Sequence, residues 1–137
     1  MIDDTSAPYA ALLLRVTLGV LFLAHCWLKL VVFKPAGTVE WFESIGQPGG
    51  LAYVTIAAEL GGGLALILGI WPRIVALALV PLILGTIYAV HGKKGWLFSN
   101  EGGGWEYPAF WAVALVVLFL LGDGASALLP SPAVFDR

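Results

Sequence analysis

Residues 51–70 read LAYVTIAAELGGGLALILGI, and Glu59 is the one charged side chain among them. Twenty residues at about 1.5 Å rise make a helix of about 30 Å, the thickness of a bilayer's hydrocarbon core. A barrel strand would alternate apolar and polar positions every second residue, and this run does not alternate. It therefore predicts a transmembrane helix with a carboxylate near its middle. Working outward, three further apolar segments qualify as helices, at about 9–33, 73–90 and 107–121 or to 129. Pro35, the Gly- and Pro-rich stretch 46–50, Trp71 with Pro72, and the three glycines 102–104 separate them. The expected fold class is all-α: an integral membrane four-helix bundle forming one domain over 1–137.

Composition agrees with that reading. The chain is 60% hydrophobic and 12% charged, with a mean hydropathy of +0.92, whereas soluble domains carry roughly 25% charged residues. Seven Lys and Arg with nine Asp and Glu are too few to cover a water-soluble globule. A net charge of -2 offers no basic surface, so no nucleic-acid partner is expected. The single cysteine, Cys26, cannot form an internal disulfide. Asp3 and Asp4 make an acidic start where a cleaved signal would be basic, so the first segment is expected to remain as a helix.

Four spans put both termini and the 71–73 turn on one side, side A, and the longer connections 34–50 and 92–106 on side B. The positive-inside rule nearly ties. Side B carries Lys34, Lys93 and Lys94, against Arg73 and Arg137 on side A with Arg15 close by.

Ionisable residues inside the spans carry the functional signal, because each costs about 2.5–3.5 kcal/mol at a helix centre. Arg15, Gly19, Phe22, Cys26 and Lys29 share one stripe of the first helix, with His25 beside it. Glu59 shares its face with Ala52, Thr55, Gly62, Gly63 and Leu66, mostly small residues suited to close helix packing. Antiparallel depth brings His25 and Lys29 near Glu59, and Arg15 has a long side chain. Glu59, Arg15, His25 and Lys29 are the candidate catalytic acid–base group, with Glu59 expected to pair with at least one of the other three. The competing reading is that Arg15 and Lys29 snorkel to the interface and that His25 and Cys26 are packing residues.

Side B is rich in aromatic residues. They read either as an interfacial belt or as the mouth of a pocket between the third and fourth helices, shaped for a flat ligand such as a quinone head. His91, Trp96, Trp105, Glu106 and Tyr107 are the candidate ligand-binding residues. Glu106 and Pro108 also suit the first turn of a helix on structural grounds alone. Two histidines on different helices make no metal-spacing motif, so no metal is expected.

The run 12–16 (LLLRV), with Gly19, residues 22–25 (FLAH) and then Lys29 and Leu30, resembles the first helix of the DoxX family of small membrane proteins. Residues 59–63 (ELGGG), Leu68, Gly69 and Arg73 resemble its second helix and turn, and 103–108 (GGWEYP) the start of its fourth. Cys26 stands where many members carry glycine. The resemblance implies a four-helix fold in the inner membrane, similar to the membrane subunit of a thiosulfate:quinone oxidoreductase. Its matching polar positions are Arg15, Lys29, Glu59, Glu106 and His25. It further implies a redox-associated membrane subunit, quinone- or thiol-linked, without a covalent cofactor or its own electron carrier, the candidate cofactor being quinone. Implied partners are the lipid bilayer, a soluble or membrane redox protein and a second copy of the chain; both termini are expected in the cytoplasm. A structural anchor for soluble redox partners, or a small-solute transporter, are the alternatives; the absence of an inverted repeat weighs against the transporter.

Overall fold

The computed structural model describes residues 3–132; Arg137, counted above with side A, lies outside them. Helix α1 spans Ala7–Trp27, starts with Pro8 in its first turn and continues through a π-helical turn, Leu28–Val32. Lys34, at φ 62°, breaks the run, and a second helix, α2, follows at Lys34–Ser44. Helix α3 spans Gly50–Leu68 and ends on Gly69 in the left-handed conformation, φ 73°, which glycine adopts without strain. Helix α4 spans Pro72–Thr86 and also runs into a π-helical turn, Ile87–His91. Helix α5 spans Glu106–Leu121. The continuous helical stretches Ala7–Val32, Gly50–Leu68 and Pro72–Lys94 are each long and apolar enough to cross a membrane. The 16 residues of α5 make a shorter apolar fourth helix, about 24 Å long. The molecule is the all-α membrane bundle expected.

One connection differs from the sequence reading, and of the two ends it gave for the fourth helix the structure takes the first. The 34–50 connection contains α2, whose mixed polarity hid it from a search for apolar runs. The buried Thr38 ties α2 down: its hydroxyl donates to the Lys34 carbonyl at 3.0 Å and lies 3.3 Å from that of Lys29. The fourth helix stops at Leu121 and does not reach 129. Gly122 and Gly124 sit at φ 100° and 80°, outside helical space, and turn the chain back across the end of the bundle.

Helix α1 packs mainly on α3 and α4 on α5, while α1–α5 and α3–α4 contacts close the ring. Glycine sets the α1–α3 distance. A Cβ on Gly19 would lie 2.8 Å from the Gly63 carbonyl oxygen, and one on Gly63 would lie 3.0 Å from that of Gly19. Leu18, Phe22, Leu66, Leu79, Leu115 and Leu118 fill the centre. Leu13, Val20, Phe110 and Leu120 point outward, as a lipid-facing surface requires.

Side A is closed by main-chain bonds. The Ala125 N–H donates to Pro8 O at 2.9 Å, Leu129 N–H to Gly69 O at 3.0 Å, and Trp71 N–H to Leu129 O at 2.8 Å. The start of α1, the α3–α4 turn and the segment after α5 therefore share one end of the bundle.

Candidate functional site

Glu59 is buried, at 6% exposure, with no route to water along α3. An unpartnered carboxylate there would have to give up its charge. Lys29 supplies the partner: its Nζ lies 2.8 Å from Oε1 and 3.0 Å from Oε2, and 3.5 Å from the His25 carbonyl. The pair bridges α3 and the π-helical turn at the end of α1. A π turn adds a residue to the helical circuit and so re-aims the side chains that follow. His91 lies on the second π turn, at the end of α4.

His25 Nδ1 lies 2.9 Å from the Leu21 carbonyl. A carbonyl only accepts, so Nδ1 carries the proton and Nε2 is left for other partners. The ring packs edge-on against Trp111, with centroids 4.9 Å apart. His91 repeats the arrangement. Its Nδ1 lies 2.8 Å from Gly103 O, and its Nε2 lies 3.1 Å from the Tyr107 hydroxyl, which donates to it when the ring is neutral.

These groups surround a single cavity of about 600 Å³. Glu59, Lys29 and His25 line it with Trp111, the π turn of α4 carries His91 to it, and Tyr107 completes that polar edge. The rest of the wall is largely apolar and comes from α2, α3 and α4. Trp111 adds a further feature: its Nε1–H is buried and has no hydrogen-bond partner among the described residues. A buried unsatisfied donor costs about 1–3 kcal/mol, which a turn of the indole toward an acceptor in the cavity would recover. The sequence placed Trp111 among the side-B aromatics, a belt or a pocket mouth, but not among the candidate ligand-binding residues, since its neighbours on α1 cannot be read from an apolar run.

The structure separates what the sequence had grouped. Arg15 is not part of the Glu59 cluster. It shares the buried stripe of α1 with Lys29, yet fourteen residues of rise put it about 21 Å away along the axis. It does not snorkel either, being 1% exposed. Its guanidinium packs on Gly69 and donates from Nη2 to the Ala125 carbonyl at 3.1 Å, under the segment that closes side A. Asp123, which accepts from Ser131 N–H at 2.8 Å and Oγ–H at 2.6 Å, provides the nearby negative charge.

Trp96, Trp105 and Glu106 do not line the cavity, in contrast to His91 and Tyr107. The two indoles pack on each other at 4.5 Å, and Glu106 accepts the Phe98 N–H at 2.7 Å. All three hold the 95–106 loop together. The cavity also extends beyond the α4–α5 cleft expected, reaching α1, α2 and α3. Among the described residues no group of three or more His, Cys, Asp and Glu side chains comes together to hold a metal.

A small helical bundle with an intramembrane ion pair, set in the wall of a cavity near one end, defines a class of compact membrane proteins rather than a soluble enzyme. The DoxX family model matches residues 10–92, and the chain belongs to that family. It is 35% identical over 98 residues to a Bacillus subtilis (strain 168) protein named "Putative oxidoreductase CatD", covering 72% of each chain. It is 34% identical over 82 residues to the Escherichia coli (strain K12) "Inner membrane protein YqjF", 60% of this chain and 62% of that one. With "Inner membrane protein YphA" of the same organism it shares 27% over 128 residues, 88% of this chain and 89% of the other. No solved structure matches the chain.

Proposed function

We propose that this chain is an inner-membrane, redox-associated subunit that binds a quinone in the side-B cavity, with both termini in the cytoplasm. The observation that carries the reading is the cavity itself: a largely apolar space of about 600 Å³ whose wall holds the Lys29–Glu59 pair, His25 and Trp111, a residue whose buried N–H has no hydrogen-bond partner among the described residues. That donor set fits a flat ring edged with carbonyl acceptors. A quinone, when bound, supplies a two-electron, two-proton couple, with the electrons exchanged with a separate redox protein. The protein's own residues hold and exclude. Trp111 offers a hydrogen bond, Lys29 holds a positive charge beside the ring site, and Glu59 with His25 can store a proton out of contact with bulk water. Tyr107 and His91 hold the polar edge. The relative named as an oxidoreductase and the two named as inner membrane proteins support the assignment.

A photoactivatable short-chain benzoquinone tests it. Saturable crosslinking within residues 81–91 and 107–111, displaced by unlabelled quinone, is the expected result. Trp111→Phe keeps the ring but removes the donor, and should weaken binding about three- to tenfold, the scale of one hydrogen bond. Labelling that does not saturate, or that maps to side A, overturns the proposal.

A further inference from the structure

A second cavity of about 510 Å³ lies between the π-helical end of α1 and helix α2. Its walls include Leu28, Gly37 and Thr38. It shares His25, Lys29, Phe33 and Trp41 with the larger cavity, so the two meet at the ion pair's lysine. Phe33 and Trp41, at this junction, are exposed on the surface of the bundle. The exposed neighbours Val31 and Val32 continue that surface as apolar, lipid-compatible side chains.

The chemistries of the two spaces differ. The larger one gathers the polar groups: Glu59, His25, His91 and Tyr107. The smaller contributes nothing ionisable of its own beyond the shared His25 and Lys29. The Thr38 hydroxyl on its wall is already engaged by main-chain carbonyls of Lys34 and Lys29. A ligand that filled both would need a polar head and an apolar extension, joined where Lys29 stands.

We propose that the two cavities form one binding channel for a two-part amphipathic ligand: the ring occupies the larger cavity, and an isoprenoid-like hydrocarbon chain passes Lys29 and leaves between α1 and α2 into the bilayer. This rests on the ring-site reading above and adds to it the chain's path and the requirement for a chain-bearing ligand. The gap between α1 and α2 is then the lateral entrance. Such a ligand stays dissolved in the membrane and never crosses the aqueous loops. The break at Lys34, which swings α2 away from the axis of α1, creates the gap.

Two glycines make the halves separable. A Cβ on Gly37, in the wall of the smaller cavity, meets nothing within 4 Å, and the same holds for Gly85 in the wall of the larger. Both lie within helices, where replacing glycine does not weaken the helix. Gly37→Leu and Gly85→Leu should therefore fold and fill one space each. Isothermal titration of the detergent-purified full chain with a chainless benzoquinone and with its decyl derivative reads the outcome. Gly85→Leu should weaken both ligands at least about tenfold by occupying apolar volume they need. Gly37→Leu should weaken the decyl compound by about the same factor and leave the chainless one within about twofold. Equal effects of Gly37→Leu on both ligands, or none on the decyl compound, overturn the channel while leaving the ring site standing. If Gly85→Leu affects neither, or the parent binds neither, the ring site falls and the channel with it.

Discussion

A carboxylate in the middle of a twenty-residue apolar run must lose its charge, find a cation, or face a wet cavity. Glu59 takes the second course through Lys29, at 2.8 and 3.0 Å. The sequence narrowed its partner to three residues by depth and stripe but could not choose among them. The choice turns on the π turn at Leu28–Val32, which has no distinct apolar period, and on the return segment after α5, which occupies Arg15 at the other end. Breaking a buried pair leaves the survivor uncompensated, at about 3–5 kcal/mol in comparable cases. Glu59→Ala should thus lower unfolding stability in detergent by that order, and Lys29→Met in the same background should recover part of it. Glu59→Ala and Arg15→Met should instead add independently, within about 0.3–0.5 kcal/mol, because the sites share no partner. A Glu59→Ala protein that unfolds with the parent would remove the pair from any account of stability.

At the level of elements, apolar run length located three spans and the fourth start, since burying or lipid-facing helices need little else from the sequence. It missed α2, which lies across side B and walls both cavities, because a helix of mixed polarity held by Thr38 has no hydrophobic signature. Small residues, in contrast, were informative: Gly19 and Gly63 mark the line where α1 and α3 touch. Gly19→Ala would bring its Cβ to 2.8 Å from the Gly63 carbonyl oxygen, a backbone atom that can move only with its helix. Overpacking of this kind costs about 1–3 kcal/mol. Gly61→Ala, on the same helix as Gly63 but with open space around its Cβ, should be neutral or stabilising by up to about 1 kcal/mol. Paired thermal melts of the two variants check that the α1–α3 contact, and not glycine content, is what matters.

For the whole molecule, charge counting could not orient the bundle, but hydrogen bonding fixes which parts share an end. Pro8, Gly69, Trp71, Ala125 and Leu129 are linked by main-chain bonds at side A, while the 95–106 loop, with its Trp96–Trp105 pair, lies at side B. Any membrane-inserted form must keep that arrangement, because unpairing those groups in a low-dielectric setting is costly. Single cysteines introduced at Thr5 and Ser126, in a background where Cys26 is replaced by alanine, should label from the same face of intact cells or inverted vesicles. Cysteine at Ser99 should label from the opposite face. With the proposed orientation, an impermeant maleimide reaches position 99 from outside the inner membrane and positions 5 and 126 only from the cytoplasm. The reverse pattern would keep the bundle and invert it, placing the aromatic end and the cavity at the cytoplasmic interface. Labelling of 5 and 126 from different faces would mean that the chain crosses the membrane an odd number of times, which no arrangement of α1, α3, α4 and α5 in this bundle allows.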